Sequence, residues 1–159
     1  MLGTLKLQTI KTIRKMKKMM ALLATLMIIM TACADRHQIV EFSVLPVEAQ
    51  NFIKTHYKVS DVSFIKMENE GLFKEYNVYL HNATEIEFNH KGSLKSIDCK
   101  RAAVPKTILP KAIVEYVSYH YPQAIITEYN IGARRLEIGL NVDLELYFDL
   151  NGNFIGMDD

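Results

Sequence analysis

The sequence predicts an α+β fold: two tandem units, each one helix followed by about four strands, joined in one antiparallel sheet with both helices on one face. Three observations point there. The chain repeats itself, the start of each repeat has the apolar spacing of a helix, and the spacing then changes to two. At an offset of 64, Ser43 meets Thr107, Leu45-Pro46 meets Leu109-Pro110, Phe52-Ile53 meets Tyr116-Val117 and His56-Tyr57 meets His120-Tyr121. At an offset of 60, Tyr76, Val78 and Leu80 meet Leu136, Ile138 and Leu140, while Phe88, Gly92 and Asp98 meet Phe148, Gly152 and Asp158. One four-residue shortening of a connecting loop reconciles the two offsets.

In chain order the first element is an address. "MKKMMALLATLMIIMTAC", residues 16 to 33, has a basic start, an apolar run and small residues before a cysteine, the design of a secretory signal. The run is shorter than the roughly 20 apolar residues that a membrane span needs. "Met30-Thr31-Ala32-Cys33" resembles the lipobox of bacterial lipoproteins, which implies a signal peptide over residues 1–32 and acylation of Cys33. Residues 33–42 then form a tether, 43–100 the first repeat, 101–106 a linker and 107–159 the second repeat.

Within the repeats, Ala49, Phe52, Ile53 and His56 fall on one helical stripe, as do Ile113, Tyr116, Val117 and His120. Ser43 and Thr107 are the expected N-caps, with Pro46 and Pro110 in the first turn. "YNVYL" and "TEIEF" alternate around "HNA", and "RLEIGL" and "DLELYF" around "NV", so each half contains an antiparallel hairpin flanked by two further short strands. Lys91-Gly92 and Asn151-Gly152 mark equivalent turns. The alternation sorts two faces. Tyr76, Val78, Leu80, Thr84, Ile86 and Phe88, with Leu136, Ile138, Leu140, Leu144, Leu146 and Phe148, make the face that the helices cover. Asn77, Tyr79, Glu85 and Glu87, with Glu137, Gly139, Glu145 and Tyr147, lie on the other, which two helices leave open to water.

Composition limits the function. At 159 residues, 49% apolar and 23% charged, the chain is globular. Its net charge of +1 conceals an asymmetry, because six of 19 basic residues precede the first acidic one, Asp35. The remaining 13 face all 18 acidic residues, leaving a body of about −5 that has no electrostatic footprint for nucleic acid. With Cys33 acylated, Cys99 has no partner for an intramolecular disulfide, and its place beside Ile97 on a strand face reads as a buried, inert thiol.

The stretches "LPVEAQNFIKTHY", "EIEFNHKGSLKSIDCKRAAVP" and "LPKAIVEYVSYHYP", with the lipobox, resemble the PepSY-like, beta-lactamase-inhibitor-like lipoproteins of gut Gram-negative anaerobes. The resemblance covers the chain from about Ser43 onward. It implies a layout similar to beta-lactamase inhibitory protein, with a curved sheet whose concave face holds a partner, and a link to peptidase inhibition.

Other motifs have plainer explanations. His56 and His120 close their helical stripes, where a cation complements the helix dipole, although paired histidines also occur as metal ligands and pH switches. His81 and His90 flank one strand, too far apart to share a metal. "DLNGN", Asp149 to Asn153, opens like a calcium loop but lacks its sixth-position glycine and closing glutamate. Nucleophile elbows, zinc-protease motifs, phosphate loops and dinucleotide fingerprints are absent from the sequence. Carboxylates alternating along a water-facing strand are ordinary, whereas Tyr79 and Tyr147 offer rigid contact area with a polar tip. The expectation is therefore a non-enzymatic lipoprotein of the cell envelope, periplasmic or on the outer-membrane surface, that needs no cofactor or metal. It would bind a protein or peptide through Asn77, Tyr79, Glu85, Glu87, Glu137, Glu145 and Tyr147, as a peptidase or beta-lactamase inhibitor-like module. The alternative is a small-ligand or metal sensor using His56 and His120.

Overall fold

A computed structural model describes residues 37–70 and 72–158; the expected signal segment 1–32 and Cys33 lie outside the described residues. Nine strands form one open antiparallel sheet in strict chain order. They are β1 (His37–Val40), β2 (Val62–Glu70), β3 (Phe73–Leu80), β4 (Glu85–Phe88), β5 (Leu94–Asp98), β6 (Ile126–Ile131), β7 (Leu136–Leu140), β8 (Leu144–Phe148) and β9 (Phe154–Asp158). Helix α1 (Val47–His56) lies between β1 and β2 in sequence, and α2 (Lys111–His120) between β5 and β6. Each helix is thus followed by four strands.

Three expectations are corrected. Residues 37–40 of the expected tether are β1, which pairs with β2 through His37↔Glu68 to Val40↔Ile65 and gives the sheet a ninth strand. The flanking strands are not uniformly short, since β2 runs for 9 residues. The helices do not start at Ser43 and Thr107: Pro46 and Pro110 occupy the N-cap positions, with no side-chain cap. Proline's fixed φ suits the turn into a helix, and Ser43 is held instead in a short 3-10 turn, Phe42–Val44.

The predicted apolar face is the core face. Val78, Ile86, Phe88, Ile97, Ile138, Leu146 and Phe148 are fully buried, and they form one cluster with Ala49 and Ile53 of α1 and Ile113 and Val117 of α2. Leu144 is only partly buried. Each helix is positioned by an aromatic contact of the same kind. Phe52 meets Phe88 edge-on at 5.4 Å, and Tyr116 meets Phe148 edge-on at 5.3 Å. His56 and His120 pack at a tilt against those same helix rings, at 4.7 and 4.3 Å.

Two glycine turns let the helices approach. Gly92 and Gly152 sit at φ +93° and +87°, between β4 and β5 and between β8 and β9. The preceding residue of each turn is organised by a side chain: Asn89 Oδ1 accepts from the N–H groups of Lys91 and Ser93, and Asp149 Oδ1 from those of Asn151 and Asn153. The Asp149 carboxyl therefore serves its own turn, and "DLNGN" is a β-turn. A Cβ on Gly92 would meet the Ala49 backbone nitrogen and Pro46 Cβ at 2.8 Å; one on Gly152 would meet Ala112 Cβ at 3.2 Å.

Alanine at the two turns should therefore have unequal costs. Gly92→Ala combines a left-handed backbone with overlap on a helix backbone and should cost roughly 2–4 kcal/mol, against roughly 1–2 kcal/mol for Gly152→Ala. Urea unfolding of the two variants checks this; equal costs would show that the contact with α1 is not the controlling term.

Candidate functional site

The face opposite the helices is built of cross-strand rows, because residues paired across an antiparallel ladder point the same way. One row runs Phe64, Tyr79, Glu85, Asp98, Glu128, Gly139, Glu145, Asp158 from β2 to β9. The next runs Lys66, Asn77, Glu87, Ser96, Asn130, Glu137, Tyr147, Gly156. All seven candidate contact residues lie in these two rows and are half-buried. Tyr79, Glu85 and Glu145 share the first; Asn77, Glu87, Glu137 and Tyr147 share the second.

The two tyrosines are held rather than loose. Tyr79 donates its hydroxyl to Glu85 at 2.8 Å, and its ring stacks on Phe64 at 4.4 Å. Partial burial, then the bond to Glu85 and the neighbouring carboxylates, pushes the Tyr79 hydroxyl up to about 12. It stays a donor at neutral pH. Tyr147 donates to Glu145 at 3.0 Å, and the Arg135 guanidinium lies 4.1 Å from its ring centre. The Glu145 hydrogen bond is the main cause of a raised Tyr147 hydroxyl. Arg135 also donates to Glu137 at 2.7 Å.

Lys95 is the main cation of the first half. Its ammonium reaches Glu75 at 2.7 Å and Glu87 at 2.5 Å, and Ser96 adds a hydrogen bond to Glu87. Burial opposes the charge on both Lys95 and Glu87, but the ion pairs outweigh it: the Glu87 carboxyl is held below its ordinary value and the Lys95 ammonium above its own. Asp98 binds the Lys100 side chain and accepts from the Lys100 N–H at 2.8 Å. Asn130 donates to Glu128 at 2.9 Å. Over the second half the face opens into a cleft of about 890 Å³, lined by Asp98, Lys100, Arg101, Glu128, Gly139, Glu145 and Asp158 among others.

Sequence reasoning missed Asp98, Glu128, Phe64, Lys95 and Arg135. Strict alternation would have found Glu128, two residues from Asn130. Lys95 was hidden by a bulge between Glu87 and Phe88, which shifts the pairing of β5 against β4. The histidines lie elsewhere: His56 Nδ1 is 3.3 Å from the Thr107 hydroxyl, and His120 is exposed beside Tyr116. Among the described residues no group of three or more His, Cys, Asp or Glu side chains is placed to hold a metal. Cys99 is buried, and desolvation raises its thiol, so it is a poor nucleophile.

Removing the central cation gives a pH-dependent outcome. Glu87, depressed in the folded state, contributes stability that is complete above its ordinary value of 4.5 and is lost as pH falls below it. Lys95, raised above 10.5, contributes until pH climbs past that value. Both groups are partly solvated, so Lys95→Met should cost about 1–2 kcal/mol at pH 7 after screening, and less at pH 3. Urea titrations at the two pH values measure the difference; an equal cost at both would mean that the ion pair is inert.

Comparison with known proteins agrees with this architecture. Residues 74–156 match the family described as "Putative beta-lactamase-inhibitor-like, PepSY-like". A "putative periplasmic protein from DUF2874 family" of Bacteroides vulgatus is 35% identical, with a TM-score of 0.74 over 79% of this chain and 99% of that one. A "putative calcium-regulated periplasmic protein" of Bacteroides thetaiotaomicron is 37% identical, with a TM-score of 0.73 over 77% and 97%. A second Bacteroides vulgatus protein, "a putative periplasmic protein of unknown function", is 32% identical, with a TM-score of 0.71 over 77% and 99%. No curated protein matches. Among the described residues no helix is long and apolar enough to cross a membrane. With a family match across half its length and relatives this similar over most of it, the chain belongs to the PepSY-like, beta-lactamase-inhibitor-like family.

Proposed function

We propose that this protein is a non-enzymatic lipoprotein of the cell envelope, anchored through lipid on Cys33, that captures a protein or peptide on its open sheet face as an inhibitor-like module. One observation carries the reading: the sheet face that neither described helix covers presents Tyr79 and Tyr147 already fixed by Glu85, Phe64, Glu145 and Arg135. Ordered aromatic anchors lose little side-chain freedom on binding, which is the cost that weakens most surface contacts. The family's inhibitor-like description and the periplasmic descriptions of its relatives support the same reading.

The same face argues for two tandem structural units, residues 43–100 and 107–159. Helix-strand aromatic pairs, glycine turns and tyrosine–glutamate pairs recur in both, so duplication would have produced one extended recognition surface with an anchor in each half. Among the described residues the arrangement offers no activated nucleophile. The buried Cys99 thiol is raised, and the carboxylates on the open face bind tyrosine, asparagine, lysine or arginine partners that orient them.

The full chain, tagged at its C-terminus and expressed in its native host, should retain an envelope partner that the double variant Tyr79→Ala/Tyr147→Ala loses by about tenfold or more. Quantitative mass spectrometry of the two captures provides the measurement, with thermal unfolding to show that the variant keeps its fold. Equal capture by a folded variant would remove the binding face from this account.

A further inference from the structure

We infer that the partner seated on this face is a lysine- and arginine-rich protein segment lying along the row Glu85, Asp98, Glu128 and Glu145; the inference rests on the binding role proposed above. Charge complementarity carries it, and the manner in which the carboxylates are held makes it specific. Glu85, Glu128 and Glu145 are hydrogen-bonded by Tyr79, Asn130 and Tyr147, which are neutral donors. Such donors fix the direction of a carboxylate without pairing it to a cation; Lys100 acts on Glu85 and Glu128, and Arg135 on Glu145, only at longer range. The second row differs, because Lys95 and Arg135 neutralise its glutamates. Among the described residues no cation lies within ion-pair distance of Glu85, Glu128 or Glu145; Lys100 is bound to Asp98.

Shape favours a segment over a point charge. Asp98, Glu128, Glu145, Asp143 and Asp158 outnumber Lys100 and Arg101 around the cleft of about 890 Å³, and Gly139 keeps it open between Glu128 and Glu145, since a Cβ there would meet Glu128 Cβ at 2.8 Å. The carboxylates are spread along the row by the strand spacing of about 4.8 Å, with about twice that between Glu128 and Glu145. They do not converge as a metal site would. At one end of the row the stacked rings of Phe64 and Tyr79 offer an apolar surface for the aliphatic stems of lysine or arginine, with Phe64 itself 42% exposed. The body of the protein, with its excess of acidic residues, would steer such a segment toward the face.

The test uses the full chain in detergent and three labelled dodecapeptides of alternating Lys-Thr, Gln-Thr and Glu-Thr, followed by fluorescence anisotropy. Only the Lys-Thr peptide should bind, and its affinity should fall by about tenfold or more when salt rises from about 0.05 M to about 0.5 M. The triple variant Glu85→Gln/Glu128→Gln/Glu145→Gln keeps an acceptor for each neutral donor while removing three charges, so it should bind at least about tenfold more weakly with an unchanged melting temperature. Undiminished binding by that variant, equal binding of the Gln-Thr peptide, or binding of spermine with none of the Lys-Thr peptide would each overturn the inference. A native partner that the triple variant still captures, but the Tyr79/Tyr147 variant does not, would remove the basic segment and leave the binding module standing.

Discussion

The edge-on packing of Phe52 on Phe88, repeated by Tyr116 on Phe148, decides on which face of the sheet each helix lies. Those contacts draw α1 and α2 onto the apolar face, where Ala49, Ile53, Ile113 and Val117 complete the core. Two ten-residue helices cannot cover both faces of nine strands. Among the described residues nothing covers the opposite face, and its residues follow different rules: they satisfy one another laterally. The left-handed glycines in the β4–β5 and β8–β9 turns serve the same packing, since both turns back onto the first turn of a helix.

On the open face two solutions to that lateral problem coexist. Lys95 and Arg135 neutralise glutamates in one row, whereas tyrosine and asparagine side chains orient glutamates in the neighbouring row without discharging them. The Lys95 pairs with Glu75 and Glu87 belong to sheet stability, because cross-strand pairs of opposite charge hold register, whereas Arg135 and Glu137 are near neighbours in the chain. The second arrangement fixes the direction of each carboxylate without an ion pair at that carboxylate. Tyr79 and Tyr147 belong to both, as ordered aromatic area and as donors that aim the carboxylates.

This division also bears on what a family resemblance conveys. The PepSY-like, beta-lactamase-inhibitor-like family supplies a scaffold, and relatives in Bacteroides share it at TM-scores above 0.7. A shared scaffold leaves the side chains on the uncovered face free to differ.

Alternation made the two faces legible in the sequence. Val78, Ile86, Ile138 and Leu146 are buried and Asn77, Glu87, Glu137 and Tyr147 are not, because a side-chain period of two leaves a strand no freedom in which residues share a face. The helical stripes were equally plain. The caps were misread because Ser43 and Thr107 have capping chemistry but the chain turns into each helix at proline. β1 was missed because a four-residue edge strand with exposed side chains carries almost no hydrophobic pattern. Which open-face residue stands beside which required the tertiary structure, since register depends on turns and on bulges such as the one between Glu87 and Phe88. Sequence periodicity by itself determined the core and the exposed face; only the paired sheet decided that Glu85, Asp98, Glu128 and Glu145, spread over 61 positions of chain, stand in one row, because strand register is a long-range property that no local pattern encodes.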